Sequence, residues 1–392
     1  MFPRLQQALQ RIQVDLAQVL SSSKIRAVCQ QMGYRFRSRV FDPVTTIHLF
    51  VLQILKGNLA IARLKDFTPR AFSEAAYCKA RMRLPLRVLE GLLERVGSAV
   101  QSTMDQTGRW LGHRTFHIDG SSFSMADKPE LQKHFGQPGA QKRGCGFPVA
   151  HLMTLFHAGT GFLMKVLAWE LRTHDLAQAQ IMHGELERGD ILIGDRAFGS
   201  FTHLALLSAR GLHGLFRAHQ KQLIDFTPHR PHNPPGHKRV GGLPTSRWLK
   251  RLGKHDQLVE YRKPKIGPEW LNAEEYRALP DTVVVRELRY RITRRGCRTR
   301  EVTLVTTLLD SACYPLHELA SLYGQRSQIE TNLRHLKQTM QMDVLHSETV
   351  MGVLKELTVF ALVYNLVRAT MCVASRQQEV EVDRISFADA LG

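Results

Sequence analysis

No stretch of this chain supplies the roughly 18–20 unbroken apolar residues of a membrane span. Its most apolar segment, around Val359–Val363, is interrupted by Tyr364 and Asn365. Cysteine is scarce and scattered, at 29, 78, 145, 297, 313 and 372, with no CxxC pair. That spacing argues against a disulfide framework or a zinc cluster and suits reduced thiols in a cytosol. Also absent are GxxxxGKS/T, a GxGxxG in a strand–helix setting, and HExxH, which leaves nucleotide hydrolysis, dinucleotide-dependent dehydrogenation and zinc proteolysis without support. The first residues, MFPRLQQALQRIQVDL, lack the apolar core of a secretory signal and read as an amphipathic helix. No internal repeat of roughly 20–50 residues is present. At 43% apolar and 23% charged, the 392 residues have a globular composition and length enough for two or three domains.

Acidic residues are also in short supply. There are 35 Asp and Glu against 54 Lys and Arg, a formal net charge of +19. The excess is uneven: residues 1–110 carry +10, 111–200 carry 0, 201–320 carry +10 and 321–392 carry −1. Two basic blocks around a neutral centre point to two nucleic-acid surfaces serving a third part. A membrane surface or a generic basic exterior is the alternative.

Residues 1–110 read as helical. Asp42-Pro43 is an N-cap followed by a first-turn proline, with Ile47, Phe50, Val51, Ile54 and Leu55 at helical spacing. Further starts fall at Thr68-Pro69, ahead of FSEAAYCKARMR, and at Leu84-Pro85. From residue 113 the pattern changes. HRTFHIDG reads as a strand ending at Asp119-Gly120, SSFSMA as a second strand, and HLMTLFH and FLMKVLAWE as a hairpin about Ala158–Gly161. A helix from Asp175 stopped by Gly189, the strand ILIG, and a helix over Phe201–Ala209 complete an α/β layout with a mixed sheet. Residues 219–282 are loop-rich. VVVRELRYRITRRG and RTREVTLVTTLL alternate across a Gly296 turn as an antiparallel hairpin, and the chain is helical from His317, including Val353–Cys372.

The most informative motif is YGQRSQIETNLRHLK. On a continuous helix Tyr323, Arg326, Glu330 and Lys337 share about 60° of arc, with Arg334 beside them, at about 3.6 residues per turn. Leu322, Ile329, Leu333 and Leu336 form the apolar side. Such a face is either a solvated surface laced with ion pairs or a site. Asp119 and Asp195, each read at the end of a strand, favour a site, because the functional crevice of open α/β sheets lies at strand ends. Asp127 and Asp190 suit turns or caps better. Three carboxylates converging there suit Mg²⁺. Two such ions roughly 3.5–4 Å apart clamp the attacking and leaving oxygens of a phosphoryl displacement.

The Tyr-x2-Arg-x3-Glu-x6-Lys spacing, HIDGS at 117–121 and GDRAFGS at 194–200 together resemble the DDE transposases of bacterial insertion sequences, specifically the insertion-sequence-four family. AAYCKARMRLP, at 75–85, is similar to a stretch preceding that family's catalytic part. The likeness runs from about residue 40 to 390. It implies an α/β fold: a ribonuclease-H-like core over 111–218 and 317–392, interrupted by a β-rich basic insertion over 219–316 and preceded by a helical DNA-end-binding domain over 1–110. It implies Asp119, Asp195 and Glu330 as catalytic metal ligands for two Mg²⁺, with Mn²⁺ as substitute. Tyr323, Arg326 and Lys337 would hold DNA phosphates, with Arg196 and Arg334 in support. The implied partners are double-stranded DNA, both inverted-repeat ends and target, and a second copy of the chain; no membrane is implied, and the location is the bacterial cytoplasm at the nucleoid. One departure is Ala197, where related enzymes often carry Glu after Asp-Arg. The ending RISFADALG stops short of the family's usual tail, an expectation of truncation.

Other residues stay open between two readings. Lys79, Arg81 and Arg83 touch end DNA or form a solvated face. His229, His232 and His237 form a DNA-facing loop rather than a zinc site, for want of a fourth ligand. Trp248 and Trp270 are buried packing residues or platforms for an extruded base.

Overall fold

The computed structural model describes residues 20–37, 40–67, 72–106, 108–139, 142, 146–172, 175–231, 242–292 and 300–391. The expected helix over 1–16, the Thr68-Pro69 start, the Gly296 turn, Cys145, Cys297, His232 and His237 lie outside them.

Among the described residues five α-helices come first: α1 (Ser22–Gln31), α2 (Pro43–Leu55), α3 (Ile61–Leu64), α4 (Glu74–Arg83) and α5 (Leu86–Gln106). Their starts are chemically marked. Asp42 accepts the Thr45 N–H at 2.8 Å ahead of Pro43, and Ser73 accepts that of Ala76 at 3.2 Å. The α/β part follows with β1 (Thr115–Met125), α6 (Pro129–Phe135), β2 (Val149–His157), β3 (Leu163–Glu170), α7 (Asp175–Met182), β4 (Ile191–Gly194), α8 (Phe201–Ala209) and β5 (His213–Arg217). Then come β6 (Thr245–Gly253), β7 (Asp256–Arg262), α9 (Ala273–Ala278), β8 (Thr282–Ile292) and β9 (Arg300–Thr306). The chain closes with α10 (Leu316–Gly324), α11 (Ser327–Arg334), a π-turn (His335–Thr339), β10 (Val344–Leu345), α12 (Val350–Gln378) and α13 (Phe387–Leu391).

One mixed sheet runs through the molecule in the order β3-β2-β1-β4-β5-β9-β8-β7-β6, with β10 parallel to β1 off this path. The pairs β1–β4 and β4–β5 are parallel; the others along the path are antiparallel. The region read as loop-rich therefore contains the hairpin β6–β7 and helix α9. Its strands extend the central sheet, because β9 lies along β5 with Leu215 opposite Thr306.

Two expectations need correction. Asp119 does not end a strand, and SSFSMA is not a second one: β1 runs unbroken through both, because β2 pairs with it from Phe116 to Ser124. On its other side β4 accompanies β1 only from Thr115 to His117, and β10 joins it only at Ser124 and Met125. Asp119 thus lies where β1 loses a neighbour, which opens the crevice inside the sheet. Nor is the segment around Arg326 one continuous helix. Gln325 and Arg326 separate α10 from α11, the Ser327 hydroxyl turns back to the Gly324 carbonyl, and the Arg326 N–H bonds the Tyr323 carbonyl three residues back. This tighter winding rotates the later residues away from the simple helical projection.

The apolar face of β1 and β2 carrying Phe123, Met125, Leu152 and Phe156 shares one core with α1, α2, α5, α11 and α12. The opposite face packs Phe116, Ile118 and Leu192 against α7 and α8. By length and composition α12 could cross a membrane, but 83% of its apolar window is buried inside this fold. Its buried polar groups have protein partners: Lys355 donates to the Arg81 and Met82 carbonyls, and Arg368 donates to the Thr160 carbonyl at 2.6 and 2.9 Å. Gly161 makes the second contact possible. Its φ is +68°, and a Cβ there would strike the Arg368 guanidinium.

Candidate active site

Three elements meet at the crevice. The middle of β1 presents Asp119, the turn after β4 presents Asp195, and α11 crosses them with Arg326 at its N-cap and Glu330 in its first turn. The apolar side of α11 is buried as its spacing predicts, with Ile329, Leu333 and Leu336 in the core, and this holds the polar side against β1.

Arg326 is the hinge of the arrangement. Its guanidinium lies 3.2 Å from Asp119 Oδ2 and 3.6 Å from Glu330 Oε1, between two carboxylates 211 positions apart in the chain. Asp119 also accepts the Gly120 N–H at 3.0 Å. Burial nevertheless pushes the Asp119 carboxyl up to about 6; Arg326 opposes the rise, while the charges of Asp195 and Glu330 add to it. The charges of Asp195 and Glu330 are therefore both felt at Asp119. Asp195 spends one oxygen on the Ala197 N–H at 2.7 Å, and Glu330 is the most open of the three, with 69% of its side chain exposed.

The remaining motif residues divide. Tyr323 is half-buried and its hydroxyl is raised, first by burial, with Arg326, Arg217 and Arg196 opposing and Asp195 assisting. It therefore belongs to the site. Arg196 donates to Gln220 at 2.7 Å on the same side. Lys337 lies in the π-turn and pairs with Asp343 at 3.2 Å, while Arg334 is exposed. Lys79 and Arg83 are exposed, but Arg81 is committed to packing: its guanidinium lies 3.8 Å over the Phe50 ring and donates to Gln53 and Ser347. Trp248 and Trp270 are half-buried, and the Trp248 ring packs on His229 at 4.4 Å.

Two site residues escape a reading of the motifs. Arg217, at the end of β5, acts on Tyr323; its signal is a cation ending a short apolar strand beside ILIG. His117 shares the Asp119 face of β1, is fully buried, and neither ring nitrogen has a partner among the described residues. Burial, then Arg326 and His157, lowers it to about 3, so it stays neutral beside the guanidinium. Alternation along β1 is the signal that could have found it.

The donor set is all oxygen and carries more negative charge than Arg326 alone offsets, which fits a hard divalent cation. Among the described residues, however, no three His, Cys, Asp or Glu side chains are gathered ready to hold a metal. In this arrangement Arg326 supplies the counter-charge.

Comparison with known proteins identifies the family. The chain is 27% identical to the transposase InsG for insertion sequence element IS4 of Escherichia coli K12, an alignment covering 81% of this chain and 66% of that protein. It is 26% identical to InsZ of the same strain over 140 residues, 36% of this chain and 47% of InsZ. The chain thus spans under two thirds of each of these relatives. A cryo-EM structure of piggyBac transposase in a synaptic complex with hairpin DNA aligns with 99% of this chain and 78% of its own, at 11% identity and a TM-score of 0.44. The family model for the transposase DDE domain matches residues 110–366, and it is to this family that the chain belongs.

Proposed function

We propose that this protein is a DNA transposase that cuts at the ends of an insertion sequence and joins the freed ends to target DNA. The observation that carries the reading is the docking of α11 on β1, which sets Arg326 between Asp119 and Glu330 at 3.2 and 3.6 Å. The strand order β3-β2-β1-β4-β5, antiparallel then parallel, supports reading this part of the sheet as a ribonuclease-H-like core with residues 219–316 inserted.

In this reading Asp119, Asp195 and Glu330 hold divalent cations, Mg²⁺ with Mn²⁺ as substitute, which supply charge stabilisation to the transferring phosphoryl group. The chain's own residues do the positioning. Tyr323, Arg326 and Lys337 hold DNA phosphates around the scissile bond. Arg326 is suited to this, because its Nε has no partner among the described residues and a planar guanidinium binds phosphate through two donors. Water attacks the phosphodiester and a 3′-hydroxyl leaves; that hydroxyl then attacks a phosphate of the target. No covalent protein intermediate is required, because phosphoryl transfer is mainly positioning and charge stabilisation. Two copies of the chain pair the two DNA ends, in the bacterial cytoplasm.

The test is to incubate the full-length protein with Mg²⁺ and DNA carrying the element's terminal repeats. Joined products support the proposal. Cut but unjoined products indicate a nuclease, and binding alone indicates a regulator. Glu330→Gln should abolish cutting and leave DNA affinity equal or higher, since a negative charge near phosphate is lost; loss of both together, with the fold intact, would make Glu330 structural.

A further inference from the structure

We infer that a buried pair of histidines, His183 and His203, positions the carboxylate of Asp195, with His203 acting through the carbonyl of Phe198. The inference rests on the reading of Asp195 as a metal ligand.

Asp195 stands on a short turn. Its side chain caps the Ala197 N–H at 2.7 Å, while the ladder bonds that close the turn are long: Phe198 N–H to the Asp195 carbonyl at 3.3 Å, and Gly199 N–H to the Arg196 carbonyl at 3.4 Å. A second short bond comes from outside the turn. Nδ1 of His203, on α8, lies 2.7 Å from the Phe198 carbonyl oxygen. The Phe198 ring in turn sits on the backbone before Asp195, where a Cβ on Gly194 would be 2.8 Å from it. Holding the Phe198 carbonyl therefore fixes both flanks of Asp195.

The proton positions follow from the partners. A carbonyl oxygen can only accept, so Nδ1 of His203 carries a proton. His203 is fully buried, and burial lowers it to about 4, so the ring is neutral and its Nε2 is an acceptor. Nε2 of His183 is 2.9 Å away and must donate. His183, in the turn after α7, is lowered to about 2 by burial and by His203. The two nearly parallel rings thus form a one-way relay from His183 to His203 to the Phe198 carbonyl, and His183 keeps the His203 donor facing the turn. Imidazole is an expensive side chain to bury beside Phe198 and Phe216 unless its hydrogen bonds matter. An aliphatic residue would fill the space but leave the carbonyl unpaired.

The experiment compares His203→Asn with His203→Gln in the full chain. The Asn amide nitrogen falls where Nδ1 does and keeps the bond to Phe198; the Gln amide falls where Nε2 does and cannot. Asn is one methylene smaller than Gln, and both should lower the melting temperature, the Asn variant at least as much. Mn²⁺ affinity, measured by calorimetry without DNA, should stay near wild type in the Asn variant and fall about tenfold or more in the Gln variant, the usual effect of losing an outer-shell partner. Equal affinities in the two variants would overturn the positioning role. Asp195→Asn is the control for the premise. If it too leaves Mn²⁺ affinity unchanged, the metal reading fails and this inference with it; if it weakens binding while Asn and Gln behave alike, only the positioning role falls.

Discussion

Asp119 and Asp190 lie on neighbouring parts of the sheet, each faces an arginine, and the two pairs are built to opposite ends. Asp190 meets Arg114 through two bonds of 2.7 and 2.9 Å, accepts the Glu187 N–H as well, and both side chains are less than 9% exposed. Asp119 has one guanidinium contact at 3.2 Å, about a fifth of each side chain is open, and its arginine is shared with Glu330. The first pair is closed: every carboxylate oxygen is satisfied and there is no room for a ligand. The second is under-neutralised, with Asp119 raised to about 6, and its arginine keeps a spare donor. The proposed catalytic role of the second pair rests on that unused capacity, whereas the first pair is saturated as a structural pair is.

Substitution should separate the two most sharply. Asp119→Asn should reduce strand cutting by more than about 10³-fold, beyond the loss of a single charge-stabilising donor. Measured by denaturant unfolding at pH 8 without metal, the same variant should be as stable as wild type or more so by about 1–3 kcal/mol, because the buried charge is costly there. A clearly less stable Asp119→Asn protein would mean that the two pairs are alike.

Asp190→Ala should behave in reverse. It leaves Arg114 buried without its main partner and should cost about 3–5 kcal/mol of stability, read from the midpoint of urea unfolding. Activity per folded molecule should be nearly unchanged. Selective loss of cutting with normal stability would move Asp190 into the site.

The pH dependence carries the same contrast. The folded value of Asp119 lies above its ordinary one, so on that account stability falls as pH rises from about 4 to about 6. His117, His203 and His335 are lowered to about 3, 4 and 4, so the unfolded chain takes up protons that the folded chain refuses. Their contribution is complete above about pH 6.5 and is lost progressively toward pH 4. Unfolding followed from pH 4 to 8 should show net destabilisation on the acid side, steeper in Asp119→Asn, which lacks the opposing group. An unchanged acid limb in that variant would show that Asp119 is not raised.

The smallest effect concerns the basic helical block. Deleting it is no test, because α1, α2 and α5 share a core with α12 and removal would expose that core. Lys79→Ala and Arg83→Ala, both at exposed sites, should each lower the slope of log affinity against log salt by about 0.9 if each meets one phosphate. Arg81→Ala should instead lower stability, since Arg81 joins α4 to α2 through Phe50 and to α12 and the segment before it through Glu356 and Ser347. A changed salt slope with unchanged stability for Arg81→Ala would reverse that assignment.

Much of the fold was legible in the residues themselves. The Asp42 cap, the bounds of α8 at Phe201–Ala209, the β2–β3 hairpin about Ala158–Gly161 and the β8–β9 pair all lie where local pattern puts them. Each depends on periodicity, capping or turn chemistry over a few residues. The motif spacing around Glu330, taken with HIDGS and GDRAFGS, likewise named the family. What the chain's order alone did not settle was set by partners distant in sequence. Asp-Gly reads as a turn, yet at 119–120 it continues a strand because β2 offers a full ladder of backbone partners. Arg81 reads as a contact to end DNA or part of a solvated face, yet it is drawn into the joint with α12, and Lys337, read as a phosphate contact, also pairs with Asp343. The strands after residue 245 read as a β-rich insertion, which leaves their place in the sheet open; they lengthen the central sheet, because an open β5 edge must be paired or solvated and β9 is there to pair it. Sequence determined the local conformations and the set of chemical groups; tertiary structure decided which buried donors and charges meet, because satisfying them depends on neighbours that only the folded chain brings near.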